Sequence, residues 1–345
     1  MSSNSLVLVH TIFRHGERTA DRDYMYPNNP YNKEDFLPYG PGQLTNAGKQ
    51  EMYDLGKLFR RRYDQYLGDL YLPKYVDARA SHFDRAKASL QLVLASLFPP
   101  NKETTWNEDL KWLPIPYYSY TFKDDEILGT AFAGGEFFTA YEEYFENEGK
   151  RILEGHEELL THLRKHAGGD FKTTRNVWLL YANLKTELTH GLRLPDWTTP
   201  IYPEELSQLA FREYIAQTGT KQLKRLIVGN LMRKILTDTK AKINGSSSHK
   251  IHLYSGHDHN IATSLNFFNL LPVYHFPNYA ACIILEVHNI DNKYVIKLLY
   301  RQSKDAKIEY MTFPNGTVNL NLEDFAKMVE DLFNEDTTKT KMGNN

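Results

Sequence analysis

The sequence predicts an α/β fold in which a helical segment interrupts a sheet domain. Short apolar, β-branched runs near both ends of the chain, at residues 6–13 and 251–255, are typical of buried strands. Segments with helical spacing follow these runs, which indicates crossover connections. Between the two ends, glycine and proline separate a series of helix-like segments. We therefore expect an α/β domain formed by residues 1–105 and 245–345, with a mostly α-helical cap inserted at residues 106–244.

The same patterns assign individual elements. Thr45 is typical of the N-cap of a helix that runs to about residue 66, after a long polar loop at residues 24–41. A strand is expected at 75–80 and a helix at 83–97. The elements expected after residue 105 are helical stretches at 137–163, 174–188, 204–216 and 223–236, a strand at 251–255, a helix from there to about 271, a hairpin of 280–288 with 294–301, and a last helix at 322–333.

Composition excludes several classes of protein. The 345 residues include 41 basic and 43 acidic side chains, so the chain lacks the positive field of a typical nucleic-acid binder. Cys282 is the only cysteine, which excludes intramolecular disulfides and cysteine-based zinc sites. No apolar run approaches the length of a membrane span. The first residues have no signal-peptide pattern, so we expect either no secretory signal or one already removed.

The sharpest motif is Arg14–Arg18, which reads Arg-His-Gly-Glu-Arg and directly follows the first expected strand. Ligands of open α/β sheets bind at the carboxyl ends of strands. Arginine forks match phosphate oxygens, and a neutral imidazole such as that of His15 is a capable nucleophile toward phosphorus. Guanidinium charge around His15 would lower its pKa and keep a nitrogen free in mild acid. The alternative interpretation is a surface loop with a helix-capping histidine.

Two further candidates follow other expected strands. His257 and Asp258 come directly after the strand at 251–255, and Asp258 could donate a proton to a leaving group. Their structural alternatives are a satisfied, partly buried histidine and a helix N-cap. Arg79 stands at the end of the strand at 75–80, where a solvated surface arginine is the alternative. The neighbouring Arg85 is expected to form a first-turn ion pair with Asp84, worth little energy.

Through these motifs the chain resembles the histidine acid phosphatase family, in its prostatic and lysosomal branch and closest to the insect venom-type members. The resemblance implies a phosphoglycerate-mutase-like mixed sheet with flanking helices and an inserted helical cap. The motifs that carry it, in the family's order, are Arg14–Arg18, Gly42–Thr45, Ala78–Ser81, Phe83–Arg85, Leu97–Pro100, Tyr254–Asp258 and Pro277–Ala281.

The resemblance also implies roles for individual residues in the hydrolysis of phosphate monoesters. His15 would be the nucleophile that forms a phosphohistidine intermediate, and Asp258 would protonate the leaving alcohol. No metal or other cofactor is implied, because fixed guanidinium groups can stabilise the transferring phosphoryl group. Glu17 is expected to be structural, pairing with an arginine. The residues implied to hold the phosphoryl oxygens are Arg14, Arg18, Arg79 and His257.

Partners and compartment are less constrained. The expected partners are small phosphomonoesters, with phosphotyrosine as one candidate, and a second copy of the chain, since members of this branch are often dimers. A secreted or lysosomal location is slightly favoured by the family. The single cysteine and the absent signal pattern fit a cytosolic protein. Sequons at Asn244 and Asn315 fit secretion but arise easily in an asparagine-rich chain.

Three alternative functions stay open at this point. A phosphoglycerate mutase-type phosphotransferase shares the first motif, but the long insertion and the late His-Asp pair disfavour it. A phytase-like inositol phosphate phosphatase would need a more basic pocket. A catalytically weak or inactive secreted binding protein of the same fold is disfavoured because His15, Arg18, Arg79 and Asp258 are all present.

Overall fold

A computed structural model describes residues 5–21, 25–132 and 135–334. The strands are β1 (Leu6–Arg14), β2 (Val76–Ala80), β3 (Tyr118–Ser119), β4 (Ile251–Gly256), β5 (Cys282–Ile290), β6 (Lys293–Arg301), β7 (Glu309–Tyr310) and β8 (Leu320–Asn321). The helices are α1 (Asn46–Leu67), α2 (Asp84–Leu97), α3 (Glu136–Asn147), α4 (Glu157–His166), α5 (Thr174–Thr189), α6 (Glu204–Ala216), α7 (Lys221–Lys224), α8 (Asn230–Ile243), α9 (Asp258–Phe267) and α10 (Leu322–Phe333). A π-helical turn at Arg225–Gly229 joins α7 to α8.

The strands form one mixed sheet with the order β3-β2-β4-β1-β5-β6-β7, and β8 pairs with β6. β3, β2, β4 and β1 run parallel, so the carboxyl ends of β1, β2 and β4 meet at one edge. β5 returns antiparallel to β1 and forms the expected hairpin with β6. Asp291 and Asn292, both with positive φ, make the two-residue turn of this hairpin, a conformation that suits these residue types. The predicted mixed α/β architecture is confirmed.

Two apolar cores cover the two faces of the sheet. On one face α1 and α2 pack through residues such as Phe59 and Leu90. On the other face a second core extends without interruption from Ile12 and Tyr254 of the sheet to Leu184 and other residues of the inserted helices. The division into a catalytic domain and a cap, with the boundaries given above, stays a prediction.

The expected helix at 137–163 is wrong in one respect, because two helices occupy this stretch. α3 ends at Asn147, a 3₁₀ turn follows at Gly149–Leu153, and Gly155 takes a left-handed conformation with φ +83° before α4. Glycine reaches that conformation without a steric penalty, so the chain can turn there. The helical periodicity continues across the break and conceals it.

Two smaller differences have clear causes. The helix after residue 257 ends at Phe267 rather than near 271, because Asn269 adopts the left-handed conformation of a helix terminus. β3 was not expected, since a strand of only two residues leaves no periodic signal. The sequence also predicts a polar, frayed tail at residues 336–345, which lies outside the described residues. Within the described part of the chain, no helix combines the length and apolarity that a membrane crossing requires.

Candidate active site

The candidate site lies at the sheet edge where β1 and β4 end side by side. Arg14, the last residue of β1, pairs in register with Gly256, the last residue of β4. The loop after β1 then packs against the start of α1 at Gly16 and Gly48, where a Cβ on either glycine would collide with backbone atoms. Thr45 caps α1 by accepting a hydrogen bond from the Gly48 N–H at 3.0 Å, as expected. This close approach holds the turn that carries His15.

His15 is 2% exposed and has a defined tautomer. Its Nδ1 lies 2.8 Å from the carbonyl oxygen of Gly16, and because a carbonyl can only accept, Nδ1 carries the proton. Nε2 therefore bears the lone pair, toward which the Nε–H of Arg85 donates at 3.2 Å. Burial, followed by the charges of Arg85, Arg14 and Arg18, holds the pKa of His15 well below its usual value. The imidazole is thus neutral in mild acid.

Arg14 and Arg18 converge on the same turn, and each keeps one buried donor without a partner. Arg14 donates to the carbonyl of Pro277 at 2.8 Å, and its guanidinium stacks 4.3 Å from the ring centre of Tyr279. Arg18 donates to the carbonyl of Thr19 at 2.9 Å. The Nε atoms of both arginines are buried and unsatisfied. Such groups are rare in folded proteins and suit an oxygen-rich ligand.

Arg85, on the first turn of α2, is a site residue that the sequence analysis missed. Besides His15, it contacts Asp21 at 3.0 Å and lies 4.0 Å from the ring centre of Phe83. Its charge lowers the pKa of both His15 and His257, in each case second only to burial. The signal available in the sequence was the motif Phe83–Arg85, which had been interpreted as a helix start with a weak ion pair.

Arg79, by contrast, is engaged elsewhere. It lies on β2, which β4 separates from β1, so that about 10 Å of sheet lies between their backbones. Its guanidinium pairs with the buried carboxylate of Asp125 at 2.7 Å and lies 4.2 Å from the ring centre of Tyr120. None of its described contacts is with His15. Among the described contacts Arg85 reaches His15 and Arg79 does not, and the phosphate-binding role expected of Arg79 stays a prediction.

His257 and Asp258 complete the cluster from β4 and α9. The ring of His257 lies 5.3 Å from that of His15, and its Nε2 is 2.8 Å from the hydroxyl of Ser81. Burial, Arg85 and His15 hold the pKa of His257 well below its usual value. α9 begins at Asp258 itself, so the N-cap position belongs to His257.

Asp258 has a carboxylate held on two sides. Its Oδ2 lies 3.3 Å from Nη2 of Arg14, and its Oδ1 accepts a hydrogen bond from the His259 N–H at 2.9 Å. Burial favours the protonated acid, but the charge of Arg14 and the contacts of His259 outweigh it and lower the pKa of Asp258. Asp258 is therefore ionised while the arginine has no other anion.

Comparison with known proteins establishes the relationship. The model of the histidine phosphatase superfamily (branch 2) matches residues 5–301. The chain belongs to this family. It is 35% identical to venom acid phosphatase Acph-1 of Apis mellifera, over 94% of this chain and 84% of the relative. It is 30% identical to lysosomal acid phosphatase of Homo sapiens, over 97% of this chain and 79% of the relative.

Solved structures agree on the fold of this histidine phosphatase. A phytase of Klebsiella sp ASR1 superposes with a TM-score of 0.69 at 14% identity, over 95% of this chain and 96% of the phytase. A phytase of Hafnia alvei gives 0.67 at 15% identity, over 95% and 97%. At these identities the likeness concerns the fold alone. The predicted family and fold class are confirmed. The prediction that the protein is an acid phosphatase, and therefore a phosphomonoester hydrolase, is confirmed as well.

Two further features concern Glu17 and a group of possible metal ligands. Glu17 accepts a hydrogen bond from the Thr45 hydroxyl at 2.7 Å, and among the described residues it forms no ion pair with an arginine. In the same part of the chain, one group has metal-ligand geometry, namely His10, Asp238 and His252. Its two histidines lie inside β1 and β4 rather than at their ends, its aspartate lies on α8, and the Lys234 ammonium already pairs with Asp238 at 2.9 Å. No residue of the strand-end cluster belongs to that group.

Proposed function

We propose that this acid phosphatase transfers the phosphoryl group of its substrate to Nε2 of His15 and then to water. The observation that carries the proposal is the unprotonated Nε2 of His15, which the Nδ1 bond to Gly16 fixes and which lies toward Arg85, with the charges of Arg14 and Arg18 also nearby. An imidazole that is neutral, oriented and surrounded by positive charge can attack a phosphorus atom whose oxygens those charges hold.

In the first step the phosphate oxygens accept hydrogen bonds from Arg14, Arg18, Arg85 and the ring of His257. The orphaned Nε–H groups of Arg14 and Arg18 gain partners in this way. The lone pair of His15 forms a P–N bond while the P–O bond to the leaving group breaks. Fixed guanidinium groups stabilise the charge on the equatorial oxygens.

Asp258 supplies the proton that the leaving alkoxide needs. In the free enzyme the charge of Arg14 keeps this carboxyl ionised. A bound phosphate dianion neutralises that charge and adds its own, so the pKa of Asp258 rises and the carboxyl takes up a proton in mild acid. In the second step water attacks phosphorus, Asp258 accepts its proton, the P–N bond breaks, and inorganic phosphate leaves.

The walls of the site favour aryl phosphates, including phosphotyrosine, whose leaving group is aromatic. Phe83 lies edge-on to the ring of His257 at 5.0 Å and to Phe122 at 4.9 Å. On another side Tyr279 lies 5.9 Å from His15. Aromatic side chains in these positions can contact the ring of an aryl phosphate while the arginines hold its phosphate.

The protein is also proposed to form a homodimer through the edge beside β3. Within the described residues β3 pairs only with β2, so its outer side has no strand partner. Large apolar side chains near it are exposed, among them Trp106, Leu110, Trp112 and Tyr118. A patch of this kind is typical of a protein–protein interface. Sedimentation of wild type and Trp112→Glu tests this, and a monomeric wild type at micromolar concentration would rule it out.

The mechanism is tested by trapping the phosphoenzyme. Wild type mixed rapidly with phosphorus-labelled p-nitrophenyl phosphate and quenched in alkali should carry label that is stable in base and lost in acid, as a phosphoramidate is. Asp258→Asn should form this species normally from p-nitrophenyl phosphate but about 10²-fold or more slowly from an alkyl phosphate, whose leaving group needs the proton. Equal slowing on both substrates would contradict the donor role, and acid-stable label would contradict a histidine nucleophile.

A further inference from the structure

One cation at the site has no part in the mechanism proposed above. Lys185 lies on α5, in the inserted helical segment, and is partly buried. Its Nζ donates to Oδ1 of Asn278 at 2.7 Å. Asn278 stands between Pro277, whose carbonyl holds Arg14, and Tyr279, on whose ring Arg14 stacks. The ammonium is therefore anchored to the same loop that positions the phosphate-binding arginine.

Lys185 is within electrostatic reach of Arg14 and Asp258. Burial, followed by the charge of Arg14, lowers the pKa of Lys185 to about 8, and Asp258 partly opposes this. At acid pH the side chain is fully charged. The side chain is only partly buried, and among the described residues its one hydrogen-bond partner is the neutral amide of Asn278 rather than a carboxylate. Two of its three donor hydrogens have no described acceptor.

A purely structural role explains these features poorly. A neutral amide could hold Asn278 equally well without the desolvation of a charge. The next helical residue, Thr186, already connects α5 to this loop through the Tyr279 hydroxyl at 3.3 Å. Because none of the described carboxylates pairs with it, the charge of Lys185 is available to an anion from outside, at a position within electrostatic reach of Arg14 and Asp258.

We infer that Lys185 binds a second anionic group of the substrate, so that the favoured substrates are phosphomonoesters carrying a carboxylate or another phosphate close to the scissile ester. This inference rests on the proposed function of the site. A single additional ammonium suits one additional anion. It does not provide for the several further phosphates of inositol hexakisphosphate, so it also separates this enzyme from a phytase-like specialist.

The test uses two substrates that differ only in the second anion, phenyl phosphate and 3-carboxyphenyl phosphate, at a pH near 5.5 where the carboxylate is ionised. Wild type should prefer the carboxylated ester in kcat/KM by about tenfold, the effect of one charge-assisted contact. Lys185→Gln keeps an amide donor for Asn278 but removes the charge. It should lose this preference through KM, with kcat little changed, whereas Lys185→Arg should retain it.

Lys172→Gln is the matched control, because Lys172 lies on the same inserted segment with 77% of its side chain exposed. It should leave both substrates unaffected. A wild type that hydrolyses phenyl phosphate without preferring the carboxylated ester overturns the inference, as does a preference that survives in Lys185→Gln. An equal loss on both substrates in Lys185→Gln shows a structural role and also overturns it. Failure of wild type to hydrolyse phenyl phosphate refutes instead the proposed function.

Discussion

β1 and β4 carry two pairs of histidines that invite comparison. His10 and His252 face each other in register inside the sheet, with rings stacked at 4.7 Å. His15 and His257 follow the ends of the same strands, with ring centres 5.3 Å apart. All four side chains are almost completely buried. The two pairs thus share residue type, strands and burial, and differ in position along the strand and in surroundings.

The charges around the two pairs have opposite signs. The inner pair lies beside two carboxylates and one ammonium, and His252 Nδ1 is 3.0 Å from Asp77 Oδ2 and 3.4 Å from Asp238 Oδ2. Lys234 pairs with both of these carboxylates. The strand-end pair lies among three arginines and one aspartate. Burial, followed by the charges of His252 and Lys234, also lowers the pKa of His10, so a lowered pKa alone does not distinguish the two pairs, and the arginines at the strand ends do.

The difference shows what makes a buried histidine a candidate nucleophile. α8 covers the inner pair, and its residues Lys234, Asp238 and Thr239 supply polar partners there. At the strand ends Asp258 pairs with Arg14 and Asp21 pairs with Arg85, yet among the described residues the Nε donors of Arg14 and Arg18 still have no partner. The negative charge of a phosphate ester can therefore be bound at the strand ends.

Among the variants that test the difference between the two histidine pairs, His15→Ala is expected to have the largest effect on activity. Turnover of p-nitrophenyl phosphate should fall by at least about 10⁴-fold, because the covalent route is lost. His10→Gln should keep most of the wild-type activity, since the inner pair takes no part in the reaction. Initial rates per mole of folded protein, with folding checked by circular dichroism, measure both. Comparable losses in the two variants would break the distinction between the pairs.

The second-largest effect distinguishes the role of Arg85 from that of Arg79. Arg85→Met should lower kcat/KM about 10²- to 10³-fold, as expected for loss of a donor to the transferring phosphoryl group. Arg79→Met should keep most of its activity but lower the free energy of unfolding by about 3 kcal/mol, because Asp125 is left buried without its partner. Steady-state kinetics and urea unfolding distinguish the two outcomes. The reverse pattern would show that Arg79 rather than Arg85 binds the transferring phosphoryl group.

The smallest effect concerns the inner pair and acid stability. Burial raises the pKa of Asp77, but the hydrogen bond and charge of His252 and the charge of Lys234 outweigh it, and the pKa falls to about 2. Because this folded-state value lies below the unfolded one, the stabilisation is present above pH 4 and is lost as the pH falls through about 2. Asp77→Asn should therefore be less stable than wild type by about 2 kcal/mol at pH 5.

That deficit should shrink as the pH approaches 2, and the activity at pH 5 should stay close to wild type. Urea unfolding at a series of pH values measures the difference in free energy. A deficit that is constant with pH would show that Asp77 contributes through packing rather than through its charge.

The comparison also explains which expectations succeeded. His15, His257 and Asp258 were expected to meet because parallel strands end at one edge, and the two histidines lie in contact there. The same rule placed Arg79 at the edge, but the rule ignores the lateral order of the strands, and β4 lies between β2 and β1. Arg85 gave no such signal, because it enters the site from the first turn of α2 rather than from a strand end.

The alternation of strands and helices, the family and the role of the two histidine motifs could be predicted from the sequence, because they depend on local periodicity and on short runs of contiguous residues. The tertiary structure was needed to show which arginine faces His15 and which nitrogen of His15 is unprotonated. It was also needed to show that Lys185 and Arg14 are bound to the same loop. Those facts depend on strand order, on the packing of α2 and α5, and on bonds between residues far apart in the chain. Long, flexible side chains can reach in many directions, and only the surrounding fold selects one.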